Sequence, residues 1–262
     1  MWEFLPTFRF AIFWVKSRLF VLRFMTFRFG DYMYGDHDME WYNERTEYMA
    51  SFLTEERMAV LQRTLAERTR YMTILTENTF HPQNASALIR HCEAFGVQDL
   101  HTVETRCKFS PNVNIVRGTD KWVDITRHDS TTEAIAALKG AGYRIVATTP
   151  HRQSCTPESF DVAKSPFCLV FGTEHAGVSD EIIEAADEYL CIPMCGMVES
   201  LNVSASAAIL IYMLSQRMRL TEGIDWQLSD EENKELLFRW VMSSVKDADR
   251  ILEREFANSI NR

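Results

Sequence analysis

From Met72 to Met218, short apolar runs alternate with segments of helical periodicity, and this alternation restricts the chain more than any other feature. The runs at 72–75, 97–103, 122–125, 143–148, 167–171 and 189–192 read as short buried strands. Between them, Pro82 fits the first turn of a helix reaching Phe95, and Gly96 is a natural stop. Ser130 and Glu133 form a capping-box pattern for a helix at 131–139. Ser179 opens a short helix through Ala186, and 201–218 is long and largely apolar. Strands and helices in strict alternation predict an α/β fold, with a mostly parallel sheet covered by helices on both faces.

Helical patterns also flank this core. Met58, Leu61 and Leu65 recur at helical spacing within 54–70, among alternating arginines and glutamates. After Arg219 the composition turns acidic and polar. There Ser229 and Glu232 fit a capping box opening a helix with Leu236, Leu237, Trp240 and Val241 on one face. The expected organisation is an N-terminal helix at 51–70, a core domain at 71–219, and a helical arm at 220–262 that docks on the core or on a partner chain. Residues 1–50 form an extension of uncertain role. Within 1–33, Lys16, Arg18, Arg23 and Arg28 interrupt every window long enough to span a bilayer. No small-residue cleavage site follows a clean apolar core. A basic interfacial helix, or an initiator further along at Met33, Met39 or Met49, both stay open.

The formal net charge of -9 runs against a nucleic-acid partner unless a local basic patch offsets the acidic remainder. Six scattered cysteines contain no C-x-x-C pair, which points to reduced thiols in a cytoplasmic protein rather than to disulfides or a metal site.

Three clusters carry chemistry, each near the end of a strand or the start of a helix, where open α/β sheets place ligands. In the first, Asn84 falls in the first turn of a helix and Arg90 is the polar exception in an apolar segment. Arg90 is either a surface arginine of an amphipathic helix or a fixed cation for a phosphate or hydroxyl, a task suited to a planar guanidinium. In the second, a strand empties into Gly172, Glu174 and Gly177, which is an ordinary turn or a ligand-approach loop. It is neither a dinucleotide fingerprint nor a P-loop. In the third, Ile192-Pro-Met-Cys-Gly-Met-Val-Glu-Ser200-Leu-Asn202-Val-Ser204 ends a strand and opens an apolar helix. Ser200 or Asn202 serves as a cap there, but a cap needs only one such residue, and Ser204 and Ser206 follow.

Together these segments resemble the three signature motifs of the SpoU/TrmH branch of the SPOUT methyltransferases. Asn84, Ala87 and Arg90 match N-x-x-A-x-x-R. Gly172, Glu174 and Gly177 match G-x-E-x-x-G, and residues 192–204 match I-P-M-x-G-x-x-x-S-L-N-V-S. The resemblance spans about 71–219 and implies a deep trefoil knot near the carboxyl end, an exception to the rule against knots. It implies S-adenosylmethionine held by Thr148, Gly172, Ile192 and Leu201, mostly through backbone groups. Asn84, Arg90, Glu174, Ser200 and Asn202 become the polar active-site set, and the active unit becomes a homodimer. The flanking helices make the tRNA-acting members that methylate the D-loop guanosine the best match. An rRNA 2′-O-methyltransferase and a non-catalytic knotted RNA-binding protein are the alternatives. Neither DNA nor stable membrane association is expected.

The resemblance also fixes the chemical problem, because a ribose 2′-hydroxyl is a poor nucleophile unless its proton is removed or polarised. Guanidinium groups hold their protons at neutral pH, so Arg90 is expected to orient the hydroxyl and its neighbouring phosphate, taking a proton only when that phosphate perturbs it. Ser200 and Asn202 would position Arg90 or the cofactor, and Glu174 would order its loop or guide the ribose. A hydrolase built on Ser200 is the weaker reading, because no G-x-S-x-G surrounds it.

Overall fold

The computed structural model describes residues 37–173 and 175–256, and the backbone of two paired strands, Arg28–Phe29 (β1) and Tyr32–Met33 (β2). The rest of 1–33, with the readings offered for it, and Glu174 lie outside the described residues. Two helices follow, Met39–Ala50 (α1) and Glu55–Ala66 (α2), capped by Asp38 and Thr54. The core begins with Met72–Glu77 (β3), Pro82–Ala94 (α3), Asp99–Val103 (β4) and the single turn Val113–Val116 (α4). It continues with Asp124–His128 (β5), Thr131–Gly140 (α5), Arg144–Thr148 (β6) and Phe167–Phe171 (β7). Asp180–Ala185 (α6), Glu188–Leu190 (β8) and Val203–Leu220 (α7) complete it. Asp230–Ser244 (α8) and Ala248–Phe256 (α9) follow.

Six strands form one sheet in the order β5-β4-β3-β7-β6-β8, and every neighbouring pair is parallel. Successive residues of a strand face opposite sides, so the sheet has two cores. On one side Ile74, Val146 and Leu169 meet Leu88 and Cys92 of α3 and Leu210, Ile211 and Leu214 of α7. On the other, Leu75, Ala147 and Val170 meet Ala134 and Leu138 of α5 and Ile182 of α6. The expected α/β architecture with helices on both faces is observed. Gly96 follows α3 with φ +77, and a side chain there would strike the Glu67 carbonyl. Arg219 at the end of α7 donates to the carbonyls of Glu67 and Phe95, closing the ends of α2 and α3 together.

Local details differ from the sequence reading for identifiable reasons. The fifth strand starts at Asp124 rather than Trp122, because Trp122 leaves the sheet to pack edge-on against Trp240 of α8, 5.6 Å away. The strand at β8 stops at Leu190, since the Cys191 amide bonds to the Cys155 carbonyl of a separate loop. Helix α7 starts at Val203 because Asn202 is its cap. Ser130 caps α5, but the Glu133 carboxylate accepts from the Asp129 amide, so that box does not close as anticipated. The box at Ser229 and Glu232 is complete.

Helices α1, α2, α8 and α9 share a third core, in which Tyr42, Met49, Leu61 and Leu65 meet Leu236, Trp240, Val241 and Leu252. Phe238, off the face expected from sequence, is fully buried there with its ring 5.3 Å from Trp41. An ion network fastens this bundle to the amino edge of the sheet. The Asp124 carboxylate accepts from both arms of Arg239 on α8 (2.8 and 3.1 Å) and from Arg70 (2.8 Å), while Arg70 also binds Asp99. Such forked guanidinium pairs fix geometry as well as charge. Burial alone would raise the Asp124 carboxyl, but Arg239 and Arg70 outweigh it and hold the group well below the usual carboxylate range.

Asp124→Asn leaves two buried guanidinium groups without their shared counter-charge, and an expected loss of about 3–5 kcal/mol should appear in urea unfolding. Because the folded carboxyl is depressed, its contribution is present above about pH 4, the ordinary carboxylate range, and is lost as pH falls through the lower folded value. The wild type should therefore lose stability on acidification below that point, with a smaller loss in the variant.

Candidate functional site

Parallel strands present their carboxyl ends at one edge, and here the ends of β6, β7 and β8 frame a cavity of about 440 Å³. A volume of that order suits a small-molecule ligand. Three loops build it: the one after Thr148, the one from Gly172 to Val178, and the one from Cys191 to Val203. Thr148, Gly172, Ile192 and Leu201, the four residues singled out for cofactor binding, all line it, and so does Ser200. The Thr148 hydroxyl donates to the Val170 carbonyl at 2.7 Å, so that side chain is committed to the sheet.

Gly172 is required by the protein's own backbone. A Cβ at this position would collide with the carbonyl group of Gly177, because the loop folds back on itself. The Thr173 amide donates to the Gly177 carbonyl at 2.8 Å and the Gly177 amide returns a bond to Thr173 at 3.1 Å. Gly177 itself has φ +69, the left-handed region that favours glycine. A buried carboxylate unnoticed in the sequence steadies the far side of the loop. Glu77, at the end of β3, accepts from the amide and hydroxyl of Ser179 (both 2.8 Å) and from the Thr131 hydroxyl (2.7 Å). It thereby joins the starts of α5 and α6 to the central strand. Its only sequence signal was a charged residue ending an apolar strand.

The polar set divides. Asn202 caps α7 by accepting from the Ser204 amide (2.8 Å) and hydroxyl (2.6 Å), and its amide donates to Asn84 Oδ1 at 3.3 Å. The first and third motifs are therefore clasped at the starts of α3 and α7. His91 lies between the same helices; burial, chiefly, pulls its imidazole below the ordinary histidine value. Arg90 is not among the residues lining the cavity of its own chain. It is exposed on α3, with Nη1 donating to the Ile115 carbonyl at 3.1 Å. Sequence reasoning passed over Asp180 and Glu199, two carboxylates that line the cavity. Burial pushes the thiols of Cys92 and Cys168 up, which suits inert core residues.

The sequence profile of the SpoU rRNA Methylase family matches residues 71–212. A tRNA (guanosine(18)-2'-O)-methyltransferase of Borreliella burgdorferi is 35% identical over 204 residues, covering 78% of this chain and 93% of that protein. The enzyme of the same name from Aquifex aeolicus is also 35% identical, over 78% of this chain and 98% of its own. The crystal structure of the A. aeolicus TrmH/SpoU tRNA modifying enzyme superposes with a TM-score of 0.65 at 32% identity, covering 74% of this chain and 98% of that one. The SpoU methyltransferase AviRb of Streptomyces viridochromogenes, solved in complex with AdoMet, shares the fold (TM-score 0.51, 24% identity, covering 61% of this chain and 62% of that one).

Gly172→Ala should displace the 172–178 loop and cost roughly 2–3 kcal/mol, since the clash is with backbone and cannot be relieved by a rotamer change. Thermal melts would register the loss, and amide exchange at Thr173 and Gly177 would locate it. Unchanged protection at both amides would refute the close approach of Gly172 to Gly177.

Proposed function

The chain belongs to the SpoU methylase family, and from that premise we propose that it methylates the ribose 2′-hydroxyl of the D-loop guanosine of tRNA, using S-adenosylmethionine. The observation that carries the reading is the convergence of Thr148, Gly172, Ile192 and Leu201 on one cavity of suitable volume. Two relatives aligned over nearly their whole lengths bear the name of that activity.

The cavity suits the cofactor. Leu190, Ile192, Leu201 and Leu210 offer apolar surface for a flat base, the loops offer backbone groups, and Asp180 and Glu199 offer negative charge to a cationic ligand. When bound, S-adenosylmethionine supplies an electrophilic methyl group on a positively charged sulfur. The protein's task is to bring the hydroxyl in line with that methyl and to draw off its proton. Arg90 orients the hydroxyl and the adjoining phosphate. Asn84 and Asn202 hold the frame between the motifs, Ser200 positions the cofactor, and Glu174 orders the second loop.

Arg90 is absent from the cavity of its own chain, which favours a site completed by a second copy. Support comes from an exposed apolar strip of Met197, Val198 and Leu201 on the third loop and Ile209 and Tyr212 on α7, Tyr212 being 52% exposed. Apolar strips of this kind are usually covered by a partner. A homodimer through α7 covers these side chains and brings the Arg90 surface of one protomer toward the cavity of its partner. The threaded C-terminal region belongs to the same reading. The 149–166 connection leaves β6, bridges Leu190 of β8 at Cys155, and returns to β7, a long excursion compatible with the trefoil knot that the family resemblance implies. The buried thiols and the tRNA substrate together favour the cytoplasm.

Incubation with radiolabelled S-adenosylmethionine and bulk tRNA, followed by mapping of the methylated nucleotide, tests the activity. Label in rRNA alone, or in no RNA, would overturn the assignment. Arg90→Ala should lower the rate at least a thousandfold while leaving cofactor affinity within about twofold, as for a group used in the transition state. Replacing Ile209 and Tyr212 together by glutamate should yield a monomer in light scattering, with methyl transfer lost alongside.

A further inference from the structure

A chain of net charge -9 can hold a polyanion only through a local concentration of cations, and the described residues contain one. The connection between β4 and β5, residues 104–123, is long, and its regular structure is limited to the single turn α4 and a short 3-10 turn at Thr119–Lys121. It carries Arg106, Lys108, Arg117 and Lys121, all exposed, and none has an acidic partner among the described residues. Several other cations are spent on the fold: Arg70 and Arg239 on Asp124, Arg144 and Lys164 on Glu188, Arg219 on Glu67, Lys139 on Asp187.

The connection is held in place by the segment that bears the first motif. Asn78 accepts from the Arg106 amide at 2.7 Å and donates to the Thr105 hydroxyl at 3.0 Å. Ser86 accepts from the Asn112 amide at 2.8 Å, and Arg90 donates to the Ile115 carbonyl. Three anchors, Asn78 just after β3 and Ser86 and Arg90 on α3, thus fix the backbone while the four charged ends stay in solvent. One of those anchors is Arg90 itself, so the cations and the residue assigned to the reacting ribose share a surface.

We propose that the β4–β5 connection is the track that grips the phosphate backbone of the RNA substrate beside Arg90. The inference rests on the methyltransferase reading above and adds the surface that reading lacks. Exposed cations without carboxylate partners lose no ion pair on meeting phosphate, and a pinned backbone loses little conformational entropy on binding. The mixture of lysine and arginine suits phosphates, which ask only for charge and donors.

The test is a full-length variant carrying R106A, K108A, R117A and K121A, beside one that keeps every charge (R106K, K108R, R117K, K121R). Binding of bulk tRNA is measured as a function of KCl, with steady-state methyl transfer and cofactor affinity in parallel. For the alanine variant the slope of log K against log salt should shrink by about two to four, given a contribution of about 0.7–0.9 per phosphate contact. Its KM for tRNA should rise at least tenfold, with cofactor affinity and melting temperature retained and the charge-preserving variant close to wild type. A slope and KM equal to wild type in the alanine variant would overturn the track while leaving the methyltransferase reading intact. Salt-dependent tRNA binding that is lost in the variant, from a wild type that transfers no methyl group, would keep the track and overturn the activity. A wild type showing no salt-dependent tRNA binding overturns the track, and methyl transfer by that same wild type would still uphold the activity.

Discussion

The pairing of β3 with β7 is the constraint on which the rest of the molecule depends. Five consecutive residues, Met72 to Thr76, lie in parallel register with Phe167 to Phe171. Each strand is fully buried, so no polar edge is left between them. This ladder joins the half of the sheet ending in β5 to the half ending in β8. It also sets Glu77 and Gly172 at the same edge of the sheet. Glu77 then fastens α5 and α6, and Gly172 lets the next loop fold back on Gly177. Parallel strands cannot be joined by tight turns, so every connection at this edge is a loop free to specialise.

The opposite edge is specialised for attachment rather than for ligands. There Asp124 gathers Arg70 and Arg239, and the bundle of α1, α2, α8 and α9 is secured to the sheet by charge as well as by apolar packing. Arg68 adds to this join, fully buried with its guanidinium 5.0 Å from the Trp240 ring. A cation over an indole face is stabilised without a full set of hydrogen bonds. The helices that flank the core in sequence are thus packed together in space, at the edge away from the cavity.

Much of this arrangement was legible in the sequence. Strands buried on both faces announce themselves as apolar runs, and β7 was located to the residue. The second and third motifs pointed to two of the three loops that form the cavity. What local pattern could not supply was anything decided by a partner far along the chain. Nothing near Glu77 indicates that it will receive Ser179, and Asp124 looks like an ordinary strand-end acid until Arg239 arrives from α8. Gly172 was read as part of an ordinary turn or a ligand-approach loop; it lines the cavity, and it is also required by the backbone of Gly177, which no local pattern announces. Arg90 was grouped with the cavity by motif alone, while helix geometry turns it toward the β4–β5 connection.

The strand order also governs how the chain can assemble. β3, β4 and β5 lie side by side in the order they are synthesised, so the first half of the sheet can grow by simple addition. β6 cannot join next, because its place is one strand away from β3 and the gap belongs to β7, which emerges later. Until then β6 waits without a ladder on that side and β3 keeps an open edge of unpaired backbone groups. Such late, non-local insertion is slow and leaves sticky intermediates. The cavity therefore comes into being only after β7 has wedged between β3 and β6 and β8 has carried the third loop alongside β6.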